Sequence, residues 1–298
     1  MGALTLIVTG AGGFLGRAVI TAALARGHKV HAVVRRPGNL PEKVREVTCD
    51  LAKDEGLGKK LAGGDVVLHL AASITGDDAL HERDTLAATR ALYAALPAGM
   101  PVILAGSMAV YQGRAGIIDE TSPLEPAPEQ RDAYARAKLA QEQIVRAHPQ
   151  NPTTILRIGA LTGAGREWNA HLGLELGPFF LSLGGAGTLP LVGVADAAEA
   201  LVLAAEAAPS LDILNIIGDN LPISREYLTQ IRQSSPVIIP CPWHALLPFA
   251  TLSQALRLPV PGLLRPATLR YRFARRTYPN VRAKAALGWV PRGWEGHQ

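Results

Sequence analysis

The first 160 residues alternate short apolar runs with longer stretches of helical period. Leu4–Thr9 is continuous in apolar and β-branched residues, the pattern of a strand covered on both faces. Phe14–Arg26 repeats apolar positions at helical spacing and stops at Gly27, a residue suited to the left-handed turn that ends a helix. Lys29–Val34, Val44–Thr48 and Asp65–Leu70 read as strands, and Glu82–Leu96 as a helix closed by Pro97. Pro101–Ala105 is a fifth strand, Arg131–Ala147 a long helix and Thr153–Ile158 a sixth strand. Strands alternating with helices of this length predict right-handed βαβ units. That is an α/β fold with a doubly wound parallel sheet and ligands at the carboxyl ends of its strands.

After Gly159 the rhythm changes. Segment 160–194 is rich in Gly and Leu and has no clear period. Ala195–Ala207 reads as a helix, Ile213–Ile217 as a strand, and Ser224–Gln233 as a helix with Ser224 as its cap. Residues 236–298 predict a strand followed by helices separated by Pro.

Composition narrows the class. With 298 residues, 48% hydrophobic and 18% charged, the chain buries a large core and is not disordered. Cys49 and Cys241 are too few for a disulfide scaffold or a four-cysteine zinc site, and they fit a reduced, cytoplasmic compartment. The Cys241–His244 stretch has metal-ligand spacing but no second ligand pair, so no metal is expected and packing is its reading. His69, inside an apolar run, reads as a satisfied core histidine. Aromatics make up 5% without basic interleaving, which argues against nucleic acid. The net charge of +5 is uneven: residues 236–298 hold nine Lys/Arg and one acid. That segment suits an acidic carrier, an anionic ligand or a membrane surface, or is simply a solvated basic face. Its apolar Trp243–Leu256 stretch suits a substrate-pocket wall, a membrane contact or inner packing. The N-terminus lacks a basic leader, and the least charged stretches, 176–195 and 236–256, are broken by Gly and Pro.

The chemistry concentrates at three places. Thr9-Gly10-Ala11-Gly12-Gly13-Phe14-Leu15-Gly16 joins the first strand to the first helix. Gly10 permits a tight turn, Gly13 lets backbone amides approach a pyrophosphate, and Gly16 lets helix and sheet pack closely. Together they mark a Rossmann-type dinucleotide site, with phosphate on the helix N-terminus. The second strand ends at Arg35-Arg36, where NAD binding would want an acid. Two guanidiniums there suit a 2′-phosphate, so NADP(H) is favoured over NAD(H). Tyr134 and Lys138 stand four apart on one helix face. A neighbouring ammonium and a positive nicotinamide ring lower a phenol's pKa, which makes Tyr134 an acid–base candidate. Ser107 follows the fifth strand at the cofactor end of the sheet, where it orients a substrate oxygen or caps a turn.

These motifs, with Cys49-Asp50-Leu51, HLAA at 69–72, LRIGALTG at 156–163 and NVRAKAALGWVP at 280–291, resemble the extended short-chain dehydrogenase/reductase superfamily. That superfamily includes the NAD-dependent epimerase/dehydratase group, and the resemblance covers nearly the whole chain. It implies Tyr134 as acid/base, Lys138 as ribose ligand and tuner of Tyr134, and Ser107 as the residue orienting substrate. It also implies Asp50 at the adenine, Leu51 beside it, and Leu70, Ala71 and Ala72 along the diphosphate and ribose path. Residues 1–160 are then the dinucleotide-binding domain. Residues 161–298 are mainly a substrate-binding lobe with elements returning to the sheet.

In the family's epimerases and dehydratases an Asn after the sixth strand helps hold a nucleotide diphosphate, and here Ala160 stands in its place. Asp84-Thr85 likewise replaces a common Asn. The carboxy-terminal region resembles the branch containing 3β-hydroxysteroid dehydrogenases and dihydroflavonol-type reductases. The expectation is therefore an NADP-dependent reductase of ketones, or dehydrogenase of secondary alcohols, on a fairly apolar small molecule. A nucleotide-sugar epimerase or dehydratase is the second reading, and a cofactor-binding sensor or assembly subunit the non-enzymatic one. A homodimer is left open.

Overall fold

The structure is a computed structural model that describes residues 2–184, 187–208, 212–231, 237–258 and 260–293. Strands β1 (Thr5–Thr9), β2 (Lys29–Val34), β3 (Arg45–Thr48), β4 (Val66–His69), β5 (Val102–Ser107), β7 (Thr153–Ile158) and β12 (Ile213–Ile216) form one sheet. The two-residue strand β6 (Gly116–Ile117) lies outside it. The order is β12-β7-β5-β4-β1-β2-β3, and all neighbouring strands are parallel. The chain crosses over between β1 and β4, the switch point at which open α/β sheets bind ligands.

Alternation along β1 divides the core. Leu6 and Val8 join the cluster with Val19 and Ile20 of α1 (Phe14–Ala25) and Ala197 and Leu201 of α6 (Val194–Ala207). Ile7 faces the other layer, with Leu57 and Leu61 of and after α2 (Leu57–Lys60), and Leu92 and Val145 of the helices described next. A fully buried Leu or Val in these layers stabilises the fold by about 1.5–3 kcal/mol. The alanines of α6 bring it close against α1, so an element from beyond residue 160 covers the same sheet as the first helix. β12 extends that sheet beside β7.

Several elements differ from the sequence expectation. The helix expected at Glu82–Leu96 begins earlier, as α3 (Asp78–His81) capped by Asp77. It passes through a π-helical stretch at Glu82–Ala87 into α4 (Ala88–Ala95). Helix α5 (Ala133–Arg146) starts after Asp132, whose carboxylate accepts the Ala135 amide at 2.8 Å. The patternless 160–194 segment holds β8 (Ala160–Thr162), β9 (Gly173–Leu176), β10 (Phe179–Ser182) and β11 (Leu191–Gly193). In α7 (Ser224–Gln230) the cap is Ile223 and not Ser224, because Glu226 reaches back to accept the Ile223 amide at 3.0 Å. The expected extension to Gln233 falls outside the described residues.

The last segment carries β13 (Val237–Pro240), α8 (Trp243–Ala255), α9 (Pro266–Phe273), β14 (Arg276–Thr277) and α10 (Val281–Leu287). Trp243 packs inward with Leu183, Leu269 and Phe273, while Phe249, Leu252 and Leu256 are exposed. Pro248 lies inside α8 rather than between helices. Among the described residues, no helix is long and apolar enough to cross a membrane.

Candidate active site

A cleft of about 1010 Å³ opens at the carboxyl ends of the central strands. One wall is the turn from β1 into α1. Gly10 has φ +67°, and a Cβ there would lie 2.8 Å from the Ala71 amide. At Gly16 a Cβ would lie 2.3 Å from the Gly10 carbonyl, so only glycine lets helix and turn meet. α1 begins without a side-chain cap or an acid in its first turn. Its amides and positive end are left for an anion. These features fit a dinucleotide's pyrophosphate. Gly12, Gly13, Phe14 and Leu15 line the same wall, with Leu70, Ala71 and Ala72 also on the cleft.

Asp50, Leu51, Arg35 and Arg36 line the end below β2 and β3. The Arg35 guanidinium is largely exposed and donates to Asp84 at 3.2 Å, and Arg83 grips the same carboxylate at 2.7 and 2.9 Å. These cations hold the Asp84 carboxyl below its usual range, Arg83 contributing most. The pairing was not legible in the sequence, since it joins residues 49 apart.

Ser107, Tyr134 and Lys138 meet on this cleft. Ser107 caps the turn after β5 by accepting the Ala109 amide at 3.2 Å, which leaves its hydroxyl hydrogen for another partner. Burial pushes the Tyr134 phenol up, while an interaction with the Ser107 hydroxyl draws it down. The two hydrogen bonds that the Lys138 ammonium makes among the described residues go elsewhere. The Lys138 ammonium turns instead to the Ala105 carbonyl and Gln141 Oε1, both at 2.9 Å. Burial lowers its pKa to about 8.

Behind Lys138 runs a buried chain whose hydrogens can be assigned by counting. Thr9 Oγ1 accepts the Leu70 and Ala71 amides at 3.2 Å, so its own hydrogen goes to His69 Nδ1 at 2.8 Å. His69 then carries its proton on Nε2 and donates to Thr89 Oγ1 at 2.9 Å. Thr89 also accepts from Gln141 Nε2 at 2.9 Å and donates to the Thr85 carbonyl at 2.6 Å. Gln141 Oε1 is thereby fixed toward Lys138. Burial takes the His69 pKa down to about 3, which agrees with a neutral ring. His69 is thus the satisfied core histidine its apolar run predicts, and it also links the glycine turn to Lys138.

The cleft is also walled by Trp168, Asn169, His171, Tyr271 and Arg272, of which Tyr271 and Arg272 are near enough to act on the Tyr134 phenol. None was singled out from sequence, because 160–194 has no period and Arg272 is one of nine bases in its segment. The pocket wall expected of α8 is supplied by α9 instead, which contributes Tyr271 and Arg272.

A Rossmann-type sheet with a glycine turn and a Ser, Tyr and Lys on one cleft defines the class: an NAD(P)-binding enzyme of the short-chain dehydrogenase/reductase type. The chain belongs to the NAD dependent epimerase/dehydratase family, whose model matches residues 6–216, and it is an NAD(P)-dependent oxidoreductase. It is 28% identical to a 3-diazoavenalumate denitrifying reductase of a Streptomyces species, over 96% of this chain and 95% of that protein. It is 30% identical to a 4-hydroxy-2-methyl-3-oxo-4-farnesyl-3,4-dihydroquinoline-1-oxide ketoreductase of Stigmatella aurantiaca, over 90% of this chain and 89% of that protein. In fold it is similar to MoeE5 in complex with UDP-glucose and NAD, with TM-score 0.73, 23% identity and coverage of 99% and 96%.

Proposed function

We propose that this enzyme reduces a ketone on a fairly apolar small molecule with NADPH, and in reverse oxidises the secondary alcohol. The observation that carries the reading is the convergence of Ser107, Tyr134 and Lys138 on the cleft beside the glycine turn. Two relatives of nearly full coverage are named as reductases, and neither name includes a nucleotide sugar. Ala160 lines the cleft without an amide to hold a diphosphate.

When bound, NADPH supplies the hydride to the carbonyl carbon. Tyr134, kept as a phenol by burial, gives its proton to the carbonyl oxygen. Ser107 donates its remaining hydrogen bond to that oxygen. Lys138 has one N–H beyond those held by Ala105 and Gln141, and it turns this toward the nicotinamide ribose. Asp50 and Leu51 take the adenine end.

The test is a panel of apolar ketones and nucleotide sugars with wild type and Tyr134→Phe. Stoichiometric NADPH consumption with a ketone is expected, falling by ~10²–10⁴-fold in the variant. Near-normal turnover by Tyr134→Phe refutes the role. Conversion of a nucleotide sugar without net loss of NADPH establishes an epimerase or dehydratase instead.

NADP(H) is the cofactor in this reading, with Arg35 leaving Asp84 for the 2′-phosphate and Arg36 beside it. Arg35→Ala should weaken NADP(H) by about 10-fold or more while sparing NAD(H). Equal wild-type Kd values for the two cofactors would overturn the preference.

A further inference from the structure

Three residues of the cleft wall that includes Tyr271 hold a buried polar atom without a partner: Asn169 Nδ2, His171 Nδ1 and Arg272 Nε. Of these, Arg272 is near enough to act on the Tyr134 phenol. All three residues line the cleft. Their roles are set by the bonds they do make. Asn169 Oδ1 accepts the His171 amide at 3.0 Å, which leaves Nδ2 as a free donor. Arg272 Nη2 reaches Asp132 at 3.2 Å, leaving Nε unused. The His171 ring is buried among Arg272, Arg276 and Arg131, and its neutral form is favoured. It donates to the Arg272 main chain through its other nitrogen, which leaves Nδ1 without the proton.

The charge around this wall is not balanced. Arg131 and Arg276 sit over the Tyr271 ring, 4.2 and 4.8 Å from its centre, and Tyr271 lines the cleft. Arg131 pairs with Glu125 at 3.4 Å and Arg272 with Asp132. Arg276 donates to the Arg114 and Arg270 main-chain carbonyls and interacts with the Tyr278 hydroxyl, and among the described residues no carboxylate forms an ion pair with it. Three guanidiniums therefore meet two carboxylates, at a place where water is largely excluded and a charge is felt strongly.

We propose that this wall is an anion subsite and that the substrate carries a carboxylate held by Arg272 and Asn169 while its ketone lies at Tyr134. Two donor groups match the two oxygens of a carboxylate. A phosphate would turn a third oxygen toward the unprotonated His171 nitrogen, so the smaller, flat acid is the better fit. The proposal deepens the ketone-reductase reading and rests on it for the position of the ketone. Binding of the acid is measurable without turnover.

The experiment titrates the NADP⁺-loaded enzyme with 4-acetylbenzoate, 4-oxopentanoate and 5-oxohexanoate, each against its methyl ester, by calorimetry. At least one acid should bind about 10- to 100-fold more tightly than its ester, the range of a charge-assisted hydrogen bond. Arg272→Gln should bring the two together. Asn169→Ala, a change away from the α5 cap, should shrink the gap in the same direction. Equal binding of acid and ester across the series in wild type overturns the subsite. So does a preference that survives both substitutions in variants whose thermal melts match wild type. The two readings separate. A preference for acids in an enzyme whose Tyr134→Phe variant still turns over leaves the subsite standing and removes the catalytic assignment. Ketone reduction with no such preference does the reverse.

Discussion

Burial draws the Lys138 ammonium from its ordinary 10.5 to about 8, with the Glu142 carboxylate pulling the other way. The shift has a kinetic sign. In the proposed mechanism the Lys138 charge, present below about 8 and lost above it, supports proton donation by Tyr134. The kcat/KM for ketone reduction, which reports groups of the free enzyme, should therefore fall as pH rises through about 8. Gln141→Leu removes an acceptor from the charged form and should move that limb to lower pH. A pH profile flat from 6 to 10 in wild type would remove Lys138 from this role. The sign for stability is opposite. Folding lowers this pKa, so the unfolded chain binds more protons between about 8 and 10.5, and this group's contribution to stability rises with pH across that window.

At the scale of elements, legibility in the sequence follows how local the cause is. The strands of the central sheet declared themselves because residues such as Leu6 and Ile7 are buried on opposite faces, and continuous apolar runs are the consequence. α1 and α5 were legible for the same reason, each with its own turn or cap. Strands β8 to β11 were not, since each has three or four residues. β8 and β11 exist through distant pairing, as where the Ala160 amide meets the Pro190 carbonyl, and β9 and β10 form a short hairpin whose other edge is held by the distant β13. Ser224 looked like a cap until Glu226 satisfied the backbone one residue earlier. The site divides likewise. Ser107, Tyr134 and Lys138 stand at fixed offsets from elements with strong periodicity, so motif reading found them. Asn169, His171 and Arg272 acquire meaning only from the wall they share, which no spacing along the chain encodes.

At the scale of the molecule, one buried ion pair joins the site to the latter half of the chain. Glu142 of α5 receives Arg157 of β7 through both oxygens, at 2.9 and 2.7 Å, with side chains 3% and 2% exposed. Arg157 lies 4.7 Å from the centre of the Tyr111 ring, and the Tyr111 hydroxyl donates to Asn215 of β12 at 2.7 Å. The pair thus connects the helix of Tyr134 and Lys138 to the strand contributed by the latter half of the chain. Glu142→Gln leaves the Arg157 guanidinium buried against a neutral partner, a loss of about 3–5 kcal/mol. For a chain of this size that lowers Tm by roughly 10 °C. Replacing both, as Glu142→Met with Arg157→Met, removes the stranded charge and should recover most of that stability, since well-packed apolar pairs often match a buried ion pair. Function should not recover with it. Glu142 is the anion that raises the Lys138 pKa against burial, so both variants should show the high-pH limb of kcat/KM displaced below that of wild type. Melts and pH profiles on the two variants check this together. A double variant that regains both Tm and the wild-type limb would show that Glu142 holds the fold and does nothing for Lys138.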